Sequence, residues 1–202
     1  MEYDKLADEE SIERTVKALK ENGVNVEVVE NRNEARKKVL ELIPEKSEVM
    51  TMTSMTLQET GIDEEINKSG KFNAVRDKLY SMDSKTKKQE MNKLGAAPEY
   101  VLGSIHALTE DGKLIIASAT GSQIPAYVYG AGKAIFIIGS QKIVKNLDEG
   151  MKRIYEYVFP LEDERARKAY GVGSGVNKLL IINKEVQEGR INVILVKEKL
   201  GF

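Results

Sequence analysis

The apolar positions of this chain follow two patterns, one with helical spacing and one of alternating or unbroken short runs. Ile12, Val16 and Leu19 share a helical face behind Asp8, with Glu9 and Glu10 in the first turn and Lys17 and Lys20 in later turns. A helix capped by Asp8 and ended by Asn22-Gly23 is therefore expected. Val24, Val26 and Val28 then alternate with Asn25 and Glu27, the signature of a half-buried strand near a sheet edge. A second helix turns Val39, Leu42 and Ile43 inward and stops at Pro44, and residues 48–53 read as a short strand.

Residues 54–95 are polar, with Leu57, Ile62, Ile66, Phe72, Val75, Leu79, Met91 and Leu94 as sparse apolar anchors. Several short helices crossing a sheet edge are expected there. After Pro98 the chain turns strongly apolar, in runs at 100–102, 114–117, 134–138, 179–182 and 191–196. Unbroken runs of this kind suit strands buried on both faces. Between them a helix is expected over 141–159, with Ile143, Leu147, Met151, Ile154 and Val158 in one stripe and Pro160 at its end, and a shorter one over 161–170. Glu110-Asp111-Gly112 between two apolar stretches suggests a tight hairpin turn, so some antiparallel pairing is expected as well. The alternation of strand and helix predicts one α/β domain over 1–202, with a mostly parallel central sheet and helices on both faces.

Composition narrows the function classes. The 31 basic and 32 acidic side chains nearly cancel, so no overall field draws the molecule to nucleic acid or to a lipid surface. There is no Cys and a single His, which excludes a thiolate or multi-histidine metal centre and an iron-sulfur cluster of its own. No apolar run approaches the ~18–20 residues needed to cross a bilayer, and Met1 opens an acidic stretch unlike a signal peptide, so a cytoplasmic location is expected. No residue pattern names a cofactor.

In open α/β sheets, ligands settle beyond the carboxyl ends of the strands. Three predicted junctions of that kind are rich in small hydroxyl residues: 51–56, with Ser54 and Thr56; 118–123, with Thr120, Gly121, Ser122 and Gln123; and 139–142, with Lys142. Together they suit a carboxylate or phosphate, though each could simply cap a helix. The segment 103–112 holds Ser104, the lone His106, Glu110 and Gly112. His106 and Glu110 are candidates for an acid/base pair, against a structural histidine and a turn as the plainer readings. Gly171-Val172-Gly173-Ser174-Gly175 imitates a dinucleotide loop but follows a predicted helix, and Gly130-Ala131-Gly132-Lys133 imitates a P-loop but lacks its hydroxyl residue and helix. The loop 171–178 is expected to close over the cleft, with Ser174, Asn177 and Lys178 as ligand-facing candidates, although a plain flexible connector would look the same.

The runs 53–62, 103–112, 119–125 and 139–144 together resemble the LUD (lactate-utilisation) domain family, in its stand-alone short form. The resemblance implies a fold similar to the superfamily of ribose phosphate isomerase, glucosamine phosphate deaminase and CoA-transferases. Ser54, Thr56, Glu110, Gly112, Gly121, Ser122 and Gln123 match family motif positions, but the family offers no settled catalytic assignment. Relative to the isomerases the chain has no Lys-Gly-Gly phosphate loop; relative to the CoA-transferases, Glu110 is the nearest candidate for a nucleophilic carboxylate. Members active in lactate oxidation work beside iron-sulfur proteins, which implies such a partner here.

Three readings follow. The first is a protein that binds a small anionic metabolite in lactate or related organic acid utilisation. The second is an isomerase or acyl/CoA-transferase-type enzyme using Glu110 and His106. The third is a noncatalytic partner of an electron-transfer protein. A homo-oligomer is compatible with all three.

Overall fold

The computed structural model describes residues 3–202; Met1 and Glu2, where the acidic start was read, lie outside the described residues. The first half runs α1 (Glu9–Glu21), β1 (Asn25–Val29), α2 (Arg32–Leu42), β2 (Glu48–Thr51), α3 (Met55–Thr60), α4 (Ile62–Lys68), β3 (Asn73–Ala74), α5 (Val75–Ser81) and α6 (Lys88–Ala96). Then come β4 (Tyr100–Gly103), β5 (Ala107–Thr109), β6 (Leu114–Ser118), β7 (Lys133–Gly139) and β8 (Ile143–Val144). The chain closes with α7 (Leu147–Arg153), α8 (Phe159–Tyr170), β9 (Lys178–Ile182) and β10 (Ile191–Val196).

Six strands form a wholly parallel sheet in the order β1-β10-β7-β4-β2-β3. Its layering follows from side-chain alternation, because successive residues of a strand point to opposite faces. Ile135 and Ile137 of β7 and Ile194 of β10 face Ala35 and Val39 of α2, Leu57 of α3, and Ile62 and Ile66 of α4. Ala134 and Phe136 of β7 and Val193 and Leu195 of β10 face the other way, onto Leu19 of α1 and onto Leu108, Leu114 and Ile116 of a second sheet. The expected α/β class is thus observed, with β1 at one sheet edge as its alternation required. Asp8 caps α1 by accepting from the backbone N–H of Ser11, and the polar stretch after Ser54 forms four short helices around the two-residue edge strand β3.

The second sheet is the main departure from expectation. The runs 114–117 and 179–182 do not join the central sheet but form a four-stranded layer, β8-β5-β6-β9, in which β6 pairs antiparallel with both β5 and β9. A run buried on both faces looks the same whether helices or another sheet cover it. Its outer face, with Ala107 and Ile115, is sealed by Val144 and Ile154 and by Met151 of α7. The hairpin turn expected at 110–112 joins β5 to β6, with Gly112 at φ +80°.

The helix expected from 141 begins only at Leu147: residues 140–142 form a 3₁₀ turn, and Ile143 and Val144 pair with β5. It also fails to stop at Pro160. A π-helical turn at Ile154–Val158 passes directly into α8, and Pro160 follows it just after the wide i→i−5 bond from the Phe159 N–H to the carbonyl of Ile154.

Arg190 clamps the connection before β7. Its side chain and that of Glu185 are 4% and 10% exposed and 2.6 Å apart, and Nη2 also donates to the carbonyls of Tyr127 and Val128. Arg190→Leu would leave a buried carboxylate and two carbonyls unpaired, so urea unfolding should show a loss of about 3–5 kcal/mol. Adding Glu185→Gln should restore part of it.

Candidate functional site

β7, β4 and β2 are neighbours in the parallel sheet, so the segments leaving their carboxyl ends converge. They supply Lys142 after β7, Ser104 and His106 after β4, and Thr53, Ser54 and Thr56 after β2, which line a cleft of about 530 Å³. Arg76 of α5 and Arg165 of α8 also line it.

Lys142 is 2% exposed, and among the described residues no carboxylate pairs with it. Its Nζ lies 3.1 Å from Thr56 Oγ1, 3.1 Å from Ser104 Oγ and 3.2 Å from the carbonyl of Ile105. Burial, reinforced by the charge of Arg153 and opposed by Glu59, pulls its pKa down to about 7. The folding of the 140–142 turn toward the core explains this burial: had the expected helix begun there, Lys142 would stand in its exposed first turn.

His106 has its tautomer dictated by the backbone. The N–H of Ala117 donates to Nδ1 at 3.0 Å, so the ring proton of the neutral imidazole sits on Nε2. Nε2 makes no hydrogen bond among the described residues, and the ring lines the cleft. Burial, with the nearby Lys142 and Arg153 cations, lowers the His106 pKa to about 3. It is a neutral hydrogen-bond donor at physiological pH.

Tyr127 is 2% exposed, packs edge-on against Phe136 with ring centroids 4.8 Å apart, and presents to the cleft a hydroxyl that also has no partner among the described residues. A Cβ at Gly103 would overlap that hydroxyl, which sets it beside the backbone leading into Ser104. Burial raises the Tyr127 pKa, so the phenol keeps its proton. Beneath the site Arg153, wholly buried, donates to the carbonyl of His106 and stacks over Tyr157 at 5.3 Å. Desolvation lowers its pKa to about 10, so it remains charged.

Of the residues singled out from sequence, Ser54, Thr56, Ser104, His106, Thr120, Ser122, Gln123, Lys142 and Ser174 all line the cleft. Gly121 holds the adjoining turn at φ +84°, where its N–H donates to Ser118 Oγ. Asn177 and Lys178 are not in the lining; the Asn177 amide donates to the carbonyl of Ala119, and Lys178 opens β9 opposite Ser118. Glu110 and Gly112 are outside it too. A strand rises about 3.3 Å per residue, so β5 carries Glu110 roughly 13 Å along the chain from His106. There its carboxylate takes two hydrogen bonds from Arg14, at 2.9 and 3.2 Å, which hold its pKa low. The two cannot act as an acid/base pair, and Gly112 turns the hairpin against α1.

Sequence reasoning passed over Arg76, Arg165 and Tyr127. Arg165 is neutralised by a bidentate pair with Glu162, at 2.7 Å for both contacts. Arg76 is not: it donates to Thr51 O, Thr53 Oγ1 and Tyr80 Oη, and among the described residues no carboxylate pairs with it. One signal was available for Tyr127, the stretch Ala126-Tyr127-Val128-Tyr129 between two predicted strands; nothing in the sequence marks Arg76 off from other polar-segment cations.

The family model of the LUD domain matches residues 12–196. The chain belongs to the LUD domain family. No relative of curated function matches this LUD-domain chain. Among solved structures it is similar to a DUF162 family protein from Deinococcus radiodurans, with 12% identity, a TM-score of 0.59, and coverage of 95% of this chain and 99% of that one, a likeness of fold. Fainter similarity extends to a ribose-5-phosphate isomerase in complex with phospho-erythronic acid (15% identity, TM-score 0.38, covering 64% of this chain and 66% of that one). It extends also to the Plasmodium falciparum ribose 5-phosphate isomerase (12%, 0.36, 79% and 80%). Among the described residues no group of three His, Asp or Glu side chains is placed to hold a metal ion, and no helix is long and apolar enough to cross a membrane.

The His106 environment has a pH signature. Its folded pKa of about 3 lies below the ordinary 6.5, so the unfolded chain binds a proton that the folded chain refuses. Stability is then complete above pH 6.5 and lost as the pH falls toward 3. In His106→Asn, whose side-chain carbonyl can still accept from Ala117, denaturant unfolding should fall less steeply over that window than in the unaltered protein.

Proposed function

We propose that the cleft binds a small organic acid, with the anionic group at Arg76 and a hydroxyl or carbonyl oxygen at the donors His106 Nε2 and Tyr127 Oη. The observation that carries this reading is the imbalance of charge: Arg76, Lys142 and Arg153 at or under the cleft have no carboxylate partner among the described residues, whereas the cleft's other arginine is paired with Glu162. An anion in a partly desolvated site of this kind meets two functions at once, neutralising the cations and accepting the guanidinium N–H groups that Thr51 O and Thr53 Oγ1 orient. Membership of the LUD domain family supports a role related to lactate utilisation. Lactate and pyruvate carry the required pair of features, a carboxylate and an oxygen on the adjacent carbon.

Calorimetric titration with lactate, pyruvate, acetate and inorganic phosphate checks this reading. The two three-carbon acids should bind more tightly than acetate, which lacks the second oxygen. Arg76→Gln should weaken them by roughly ten- to a hundredfold, the range for losing a hydrogen bond to a charged group. Equal affinity in Arg76→Gln, or no binding of either acid, would overturn the assignment; tight binding of phosphate alone would redirect it to phosphorylated metabolites.

A further inference from the structure

The hydrogen bonds around Lys142 run in directions that leave one valence of its nitrogen open to reaction. The carbonyl of Ile105 can only accept, so one N–H of Lys142 is committed there. Thr56 Oγ1 lies 3.2 Å from the carbonyl of Leu200 and spends its own proton on that bond, so it too can only accept from Lys142. Two N–H bonds are thus assigned, and the third tetrahedral direction of Nζ points at Ser104 Oγ, 3.1 Å away. As an ammonium group Lys142 donates to Ser104; as a free amine it offers Ser104 a lone pair, and the hydroxyl proton then lies on the line between them. Among the described residues Ser104 accepts no other hydrogen bond, and it lines the cleft.

We propose that Ser104 and Lys142 form a serine–lysine dyad, and that the protein transfers or hydrolyses an acyl group held as an ester or thioester. Ser104 Oγ attacks the acyl carbon while Lys142 Nζ takes the hydroxyl proton, forming the new carbon–oxygen bond. The oxyanion of the tetrahedral intermediate accepts from donors that line the same cleft as the nucleophile, His106 Nε2–H and Tyr127 Oη–H, both of which stay neutral and protonated through the physiological range. The intermediate collapses with departure of the alkoxide or thiolate, which receives the proton from Lys142. Water or an acceptor hydroxyl then attacks the acyl-serine, gives its proton to Lys142, and releases the acyl group as Ser104 regains its hydrogen. Thr56 is a positioning residue in this scheme, since it holds the lysine and touches no reacting atom. The lysine is poised to serve because burial, and then Arg153 of α7, opposes its charge more than Glu59 of α3 favours it, and His106 is uncharged. The inference shares the cleft with the organic acid reading but does not require the anion at Arg76.

The test uses p-nitrophenyl acetate, a neutral acyl donor, with the intact protein. The expected result is a burst of p-nitrophenolate, about one equivalent per chain, as in other covalent acyl-enzymes. Peptide mapping should place one acetyl group on Ser104. The burst rate should rise about tenfold per pH unit below 7 and level off above it, following deprotonation of Lys142. Ser104→Ala and Lys142→Met should both lose the adduct. If either variant fails to fold, the pH profile and acetylation site of the unaltered protein decide. Acetylation confined to other residues, or a Ser104 adduct formed at the same rate at pH 5 and pH 8, would overturn the dyad. The acid titrations above, run on the same preparation, separate the two readings: binding without acylation removes the dyad alone, and acylation without binding removes the anion site alone.

Discussion

The parallel sheet must bury both of its faces, and most of this structure is a consequence of that requirement. Each strand of the sheet's centre carries apolar side chains up and down alternately, as β7 does with Ala134, Phe136 and Ile138 on one face and Ile135 and Ile137 on the other. Neither face can be left to water. Helices α2, α3 and α4 cover one, and α1 with the second sheet covers the other. With both faces sealed, polar loops have room only at the sheet's ends. The carboxyl ends of β2, β4 and β7 are where hydroxyl groups, a lysine and a histidine collect.

The same burial sets the electrostatics. A lysine or arginine sunk beneath an apolar layer normally meets a carboxylate, because the desolvation penalty of an isolated ion is several kcal/mol. Lys142 and Arg153 meet carbonyls, hydroxyls and an aromatic ring instead. Those neutral acceptors satisfy the N–H groups without cancelling the charge. Burial, and then the charge of Arg153, lowers the affinity of Lys142 for its proton, and burial with both cations depresses the His106 imidazole. The result is a site in which the histidine, the group usually expected to titrate near neutrality, does not, and the lysine, which usually does not, does.

Much of the architecture was legible before any coordinates. The caps of α1, the edge position of β1, the short helices after Ser54 and the turn at Gly112 all follow from local rules of spacing and backbone freedom. What local rules missed were contacts between distant segments. Nothing local separates the run at 114–117, which pairs antiparallel with β9, from the run at 134–138, which joins the parallel sheet. The hydroxyl-rich junctions pointed to the right end of the sheet, yet the cation that distinguishes the cleft, Arg76, reaches it from a helix in the polar segment. The pairing of His106 with Glu110 failed because closeness along a chain means distance in space once the intervening residues extend as a strand.

Among the described residues no carboxylate pairs with Lys142, and that is what gives the amine a chemical use. Were an aspartate or glutamate to replace one of its acceptors, the ammonium form would be favoured and its pKa driven back toward the ordinary value. It would then donate permanently to Ser104 and never take its proton. Thr56 and the carbonyl of Ile105 hold the nitrogen in the same position while favouring the ammonium form far less than a full negative charge would, since they are neutral acceptors. Position and proton affinity are therefore set by different residues: the acceptors fix where the nitrogen sits, while burial and Arg153 fix how easily it gives up its proton. A structural lysine needs the first of these and is better served by an adjacent carboxylate than by the second.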